Sequence, residues 1–304
     1  MASVKEFLCE WRSESPHVIA HTSGSTGRPK EIRLLKSDML QSARATNRFF
    51  GIDENSVLAI PLSMDYIAGK MMVVRAEEAG CRLLEMPVSN RVELSEKVDL
   101  ISLVPSQLEH YMLYPMAKHV LLGGAPLRKS QELAIVESGI DAWLGYGMTE
   151  TCSHVALRKV GDDGVFRAMD GISFSTDKRD CLVVCSDDFS WMRLVTNDVV
   201  ELIDSHSFRW LGRADNVINS GGIKLHPEQL ESELRDAFPW LPPFYLKGED
   251  DESLGQRLVM VAENPSGDIL NRMRQSAFDH RRLPKKIIAV KAFKRTSNGK
   301  LIRE

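Results

Sequence analysis

The sequence predicts an α/β protein: a larger N-terminal domain, residues 1–213, with mixed sheets flanked by helices, and a smaller α+β C-terminal domain, residues 214–304. Three observations predict it. Short apolar runs alternate with helical stretches over residues 18–144, as in sheets built from βα units. Residues 181–211 change to short alternating runs broken by turn residues. After Arg213 a glycine pair, an amphipathic helix and two strand-like runs form a separate group of signals. A chain of 304 residues buries at least one sizeable core and accommodates one or two domains.

The elements follow in order. The apolar run at residues 18–20 reads as a strand leading into a polar loop. Residues 37–50 read as a helix: Ser37 is placed to cap it, Met39, Leu40, Ala43 and Phe50 fall near one face, and Gly51 can end it. LAIPL, RLLEM, DLISLV, KHVLLG and DAWLGY read as strands, most of them apolar on both faces as buried parallel strands are. CLVVCS, VVELIDS and SFRWLGR read as antiparallel hairpins. In the C-terminal domain Leu230, Leu234 and Phe238 recur at four-residue spacing, and Pro227 suits the first turn of their helix. PWLPP is a rigid turn, GQRLVMVAEN and KKIIAVKAF are strands, and RTSNGK is a polar loop.

Composition excludes several classes. Hydrophobic residues at 43% and charged residues at 27% mark an ordinary globular chain. With 39 Lys plus Arg against 42 Asp plus Glu, the net charge of −3 gives no general attraction to nucleic acid or anionic lipid, so any anion must be held locally. The five cysteines form no CxxC pair, which suggests neither a disulfide framework nor a zinc site and fits a reducing cytoplasm. Charges interrupt the N-terminal apolar run and no long apolar stretch follows, so neither a signal peptide nor a membrane partner is expected.

Chemistry concentrates in a few segments. Thr22, Ser23, Gly24, Ser25, Thr26, Gly27, Arg28, Pro29 and Lys30 follow the first strand-like run, where a loop of small residues can wrap a polyphosphate with N–H and hydroxyl groups while Lys30 neutralises charge. It is not a Walker loop, because Arg28 stands where lysine is required. The other reading of these residues alone is a flexible linker.

TSGSTGRPK resembles the phosphate loop of the adenylate-forming superfamily of acyl-CoA synthetases, peptide-synthetase adenylation domains and luciferases. Further segments resemble that family in order: Gly123, Gly124, Ala125, Pro126 and Leu127 its adenine-side loop, and Tyr146, Gly147, Met148, Thr149 and Glu150 its YGxTE element. Thr196, Asn197 and Asp198 resemble its TGD element, Gly212 to Asp215 begin its hinge motif, and RTSNGK resembles its catalytic-lysine loop. The residues suit these roles chemically. Tyr146 offers a flat face to adenine, Thr149 a hydroxyl to the α-phosphate, and Glu150 a hard oxygen to Mg²⁺. Asp198 can accept from ribose hydroxyls and Arg213 can donate to them. Lys300 would stabilise charge building on the phosphoryl oxygens during attack.

The resemblance implies ATP, Mg²⁺ and CoA as cofactors and a two-step cycle. A C-terminal domain pivoting at Asp215 first presents Lys300, then rotates to admit the thiol along Gly221, Gly222 and Lys224. There are departures. Only 21 residues precede Thr22, where relatives carry many more; the usual histidine after Pro61 and Leu62 is absent; Asn197 replaces glycine and Asn216 a second aspartate. The short N-terminal portion and PLSMDYIAGKMMVVRA resemble the compact o-succinylbenzoate–CoA ligases of menaquinone biosynthesis. That acid carries a second carboxylate needing a cationic partner, which implies an acid site at Tyr66, Lys70 and Arg75; the other reading of the two cations is solvated helix residues. Expected partners are a small carboxylic acid and CoA, with no nucleic acid or membrane, and homodimer formation is left open. Two alternatives are a stand-alone adenylation enzyme loading a carrier protein and a non-catalytic nucleotide-binding relative.

Overall fold

The structure is a computed structural model that describes residues 2–21, 31–294 and 301–303. The chain groups into two compact units, one of residues Met1–Ser175, Val184–Leu194 and Ile203–Phe208, the other of Thr176–Val183, Val195–Leu202 and Arg209–Glu304.

The first unit opens with α1 (Val4–Trp11). Its start is a capping box: the Ser3 hydroxyl accepts from the Glu6 N–H at 3.2 Å, and the Glu6 carboxylate accepts from the Ser3 N–H at 2.7 Å. β1 (His17–His21) pairs antiparallel with β2 (Glu31–Leu35) as a separate two-stranded ribbon, from His17 opposite Leu35 to His21 opposite Glu31. The first strand therefore does not join the parallel sheet that the alternation of residues 18–144 suggested, because its hydrogen bonds are taken by β2. The loop of residues 22–30 between these strands lies outside the described residues.

α2 (Lys36–Phe50) follows β2 without a break. Ser37 is not its cap. Extended Leu35 occupies the capping position with no side-chain bond, and Ser37 lies inside the first turn. Gly51 ends the helix at φ 66°, as the sequence suggested. β3 (Val57–Ile60), α3 (Ile67–Ala79), β4 (Arg82–Glu85), β5 (Val98–Leu103), α4 (Leu108–Tyr111), β6 (Ala117–Leu122), α5 (Lys129–Ser138) and β7 (Ala142–Gly147) complete the parallel part. The strand order is β7-β6-β5-β3-β4, every pair parallel. Leu58, Leu100, Ile101, Val120 and Leu122 are buried in it, while β4 is an edge strand with no fully buried residue. β8 (His154–Lys159) and β9 (Phe166–Ala168), which the sequence reading did not place, continue the sheet antiparallel beyond β7.

β10 (Ser173–Thr176), β11 (Cys181–Cys185), β12 (Arg193–Asp204) and β13 (Ser207–Arg213) follow, the last three hydrogen-bonded in that order. In the second unit β14 (Ile218–Ser220), β15 (Ile223–Leu225), α6 (Pro227–Ala237), β16 (Phe244–Asp251), β17 (Gly255–Glu263), α7 (Ile269–Arg274) and β18 (Lys286–Val290) build a sheet of order β15-β14-β17-β16, with β18 parallel to β17. Leu230, Leu234 and Phe238 of the predicted helix face are buried against Phe244, Leu246, Leu258 and Met260. β16 escaped the sequence reading because its second half, Lys247 to Asp251, is polar on both faces. Among the described residues no helix is long and apolar enough to cross a membrane.

Gly69 shows how tightly α3 is seated. A Cβ there would stand 2.2 Å from the Ser63 carbonyl oxygen, a backbone atom that cannot turn aside. Gly69→Ala should therefore cost about 1–3 kcal/mol in urea unfolding, and an unchanged midpoint would contradict this close approach.

Candidate active site

Two motifs emerge from the carboxyl ends of neighbouring parallel strands, the place where open α/β sheets present ligand sites. Directly after β6 come Gly123 and Gly124, the latter at φ 81° and with room for a Cβ only 3.4 Å from a Val104 methyl; Ala125 and Pro126 follow. At the end of β7 the register shifts between Tyr146 and Gly147. A Cβ on Gly147 would meet the Ser153 carbonyl oxygen at 2.2 Å, so only glycine lets the strand pass β8. Met148 precedes a single 3₁₀ turn, Thr149–Thr151.

Buried Thr151 ties that turn. Its hydroxyl accepts from the Met148 N–H at 3.0 Å and lies 2.7 Å from the Ser153 carbonyl oxygen. Cys152 then adopts φ 63°, a left-handed conformation costly for a residue with a side chain. The turn carries Thr149 and Glu150 outward. Glu150 is exposed, and neither side chain has a hydrogen-bond or ion-pair partner among the described residues. No cluster of three His, Cys, Asp or Glu side chains able to hold a metal ion occurs among the described residues. The Tyr146 ring meets Phe208 edge-on, with centroids 5.0 Å apart, and lies 5.8 Å from Phe166.

Arg75 approaches the same β7–β8 loop from α3. It is 1% exposed. One terminal nitrogen donates to the Ser153 hydroxyl at 2.6 Å, the other lies 3.4 Å from the Met72 sulfur, and Nε has no partner among the described residues. Among the described residues no carboxylate lies within ion-pair distance of it. Burial works against the charge and pushes the guanidinium pKa down to about 9.

Ser153 passes the interaction on. Its oxygen is 3.2 Å from His154 Nδ1, and His154 Nε2 is 3.2 Å from the Thr46 hydroxyl, which donates to the Ser42 carbonyl at 3.0 Å. One arrangement satisfies every bond: Ser153 donates to Nδ1 and the Nε2–H donates to Thr46, so the imidazole is neutral. Burial first, and the Arg75 charge second, hold the His154 pKa well below the ordinary histidine value.

Lys70 does not join this cluster. The two cations, five residues apart on α3, point about 140° apart around the helix. Lys70 pairs with Glu10 of α1 at 3.2 Å and lies 4.7 Å from the centre of the Phe7 ring. Both cations are buried, which removes their reading as solvated helix residues. Tyr66 stands at the N-terminal cap of α3.

The second unit brings together the residues expected at a ribose. Asp198 accepts from the Trp210 indole N–H at 3.2 Å and lies 3.7 Å from Arg213, which is also 3.5 Å from Asp215. The two departures from the family pattern have local reasons. Asn197 accepts from Arg179 at 3.0 Å, and Asn216 donates to the Glu228 carboxylate, where an aspartate would set two negative charges together. Gly221 and Gly222, at φ 57° and 80°, form the two-residue turn between β14 and β15, whose twist demands left-handed residues at both positions; Lys224 lies in β15 opposite Asn219. The expected phosphate-loop residues Thr22, Ser23, Gly24, Ser25, Thr26, Gly27 and Lys30, and the expected catalytic Lys300, lie outside the described residues.

Sequence reasoning missed Thr46, Thr151, Ser153, His154 and Trp210. Each is a single polar or aromatic residue whose partner is distant in the chain, so spacing carried no signal for them.

A family model described as AMP-binding enzyme matches residues 5–173. A probable 2-succinylbenzoate–CoA ligase of Mycobacterium tuberculosis is 30% identical over 270 residues, covering 80% of this chain and 69% of that one. A 2-succinylbenzoate–CoA ligase of Enterococcus faecalis is 26% identical over 349 residues, covering 98% and 70%. Among solved structures, an AMP-forming acyl-CoA synthetase/AMP-acid ligase II-like protein of Dyadobacter fermentans superposes with a TM-score of 0.65 at 31% identity, covering 98% of this chain and 91% of that one. The o-succinylbenzoate–coenzyme A synthetase of Bacillus subtilis, in complex with ATP and magnesium ion, shares the fold with a TM-score of 0.80 at 21% identity, covering 94% and 68%. The chain belongs to the AMP-binding enzyme family, and within it to the AMP-forming acid–thiol ligases.

His154 sets a pH dependence. The unfolded chain protonates it near pH 6.5 and the folded chain only well below, so between those values the unfolded state holds more protons. Its contribution is fully present above about pH 6.5 and is lost as pH falls, by at most about 1.4 kcal/mol per pH unit. Unfolding free energies measured from about pH 7 to about pH 5 should fall less steeply for His154→Gln than for the parent. Parallel profiles would mean that His154 titrates normally.

Proposed function

We propose that the protein joins o-succinylbenzoate to CoA in two steps, a reaction of menaquinone biosynthesis. A carboxylate oxygen of the acid attacks the α-phosphorus of ATP and pyrophosphate leaves; the thiol sulfur of CoA then attacks the acyl carbon and AMP leaves. The observation that carries the acid assignment is Arg75, a buried guanidinium at the YGMTE loop with a free Nε and no carboxylate partner among the described residues. Such a charge is costly unless an anion compensates it, and the second carboxylate of a keto-diacid supplies one. The names of the Mycobacterium tuberculosis and Enterococcus faecalis relatives point to the same acid.

The remaining roles follow from the chemistry of the residues. Tyr66 at the start of α3 and Lys70 belong to the acid side, but Lys70 already has Glu10, so Arg75 is the discriminating group. Thr149 would donate to an α-phosphate oxygen, and Glu150 would hold Mg²⁺, which when bound would supply charge stabilisation at the phosphates. Gly124, Ala125, Pro126 and Tyr146 face adenine, Asp198 and Arg213 hold the ribose, and the loop of residues 22–30 wraps the β- and γ-phosphates. Residues 214–304 act as the mobile domain pivoting at Asp215; they bring Lys300 to the first step and Gly221, Gly222 and Lys224 to the thiol in the second.

The test is acid-dependent ATP–pyrophosphate exchange over a panel of acids, followed by the mass of CoA recovered. Exchange with o-succinylbenzoate and a matching thioester are expected; exchange only with monocarboxylic acids would remove the substrate assignment. Arg75→Met should raise the KM for the diacid about 100-fold while leaving thermal stability equal or higher, because it removes an uncompensated buried charge. Equal losses with every acid would make Arg75 structural. Lys300→Ala should bind ATP normally yet lose exchange, since a charge acting in the transition state governs kcat rather than affinity.

A further inference from the structure

The last residues of the described chain are held by an unusual anchor. Arg303 directs two nitrogens at Glu231 of α6, at 2.6 and 3.0 Å, the parallel fork of a bidentate pair. The first of these nitrogens also donates to the Leu246 carbonyl of β16 at 3.1 Å. Glu231 is only 4% exposed, and its carboxylate also accepts from the Leu246 N–H at 2.8 Å. The surface pair of Arg281 and Asp279 is different in kind, with side chains 75% and 37% exposed.

A second contact lies just upstream. The Ile302 N–H donates to the Lys294 carbonyl at 3.0 Å, so the chain returns to itself on either side of residues 295–301. Arg303 is the third residue after Lys300, which covalent geometry keeps within about 11 Å of it. The same face of α6 also reaches the proposed pivot, where Glu228 accepts from Asn216 and lies 4.0 Å from Arg303.

We infer that the Glu231–Arg303 pair is a positioning clasp that fixes the base of the lysine-bearing loop on α6 and β16. The inference rests on the proposed role of Lys300. A loop whose base lacks such a tie is poorly fixed, and a lysine required within about an ångström of its working place loses much of its effect when its support loosens. Removing Arg303 alone leaves the buried Glu231 carboxylate with only the more distant Arg235, at 3.5 Å, as a cation, so the informative variant is the double substitution Glu231→Gln with Arg303→Met, which removes both charges of the fork and keeps an acceptor for the Leu246 N–H.

In the full-length double variant, acid-dependent pyrophosphate exchange should lose about 100-fold in kcat with the KM for ATP within about twofold. Thioester formation from supplied acyl-adenylate, which does not use Lys300 in this reading, should stay within about threefold. The urea midpoint should not move, while trypsin should cut after Lys300 several times faster. Arg303→Lys should recover less than half of the exchange rate, because an ammonium cannot reproduce the fork. Unchanged exchange, or equal loss in both half-reactions, would overturn the clasp. Should the parent chain show no exchange with any acid, the ligase reading fails, and an unaltered rate of trypsin cleavage in the double variant would independently sink the clasp.

Discussion

A buried guanidinium with no carboxylate partner among the described residues is the constraint around which the first unit is arranged. Among the described residues the Arg75 guanidinium is met by the Ser153 hydroxyl and the polarisable Met72 sulfur, and the hydrogen bonds continue through His154 and Thr46 into α2. Ser153, His154 and Thr46 each accept one hydrogen bond and donate the next, and that holds the imidazole neutral and the hydroxyls oriented. α2, α3 and the β7–β8 loop are thereby joined by polar bonds as well as by apolar packing. A buried charge left short of partners adds nothing to stability, and that is the ground of the acid-site proposal at Arg75.

The loop above this network is shaped by close backbone approach. Gly147 passes the Ser153 carbonyl where no Cβ fits, Thr151 closes the turn from beneath, and Cys152 carries the backbone strain. The result leaves Thr149 and Glu150 without a side-chain partner among the described residues, at the carboxyl end of β7 beside the Gly124 loop at the end of β6. Polar side chains that satisfy nothing inside the fold, at the edge where parallel strands end, are suited to phosphate and metal.

In the second unit the same economy of partners recurs. Asp198 is set by Trp210 and Arg213, and the two asparagines that depart from the family pattern each complete a hydrogen bond to a charged neighbour. α6 is amphipathic in two senses. Leu230 and Leu234 enter the core, while Glu228 and Glu231 collect Asn216 and Arg303 from segments far apart in sequence.

Much was legible in the sequence. Parallel strands β3 to β7, the Gly51 helix end, the face of α6 and the order of the nucleotide motifs all follow from local signals: apolar runs, capping glycine, four-residue spacing and short contiguous motifs. The partner of β1, the edge character of β4, the polar half of β16 and the displaced cap of α2 did not, because pairing and burial override local preference. So it was with Arg75 and Lys70. The sequence by itself determined that two cations stand on one apolar helix; only the tertiary structure decided that Lys70 meets Glu10 while Arg75 meets no carboxylate among the described residues, since charge compensation depends on which distant residues folding brings within a few ångströms.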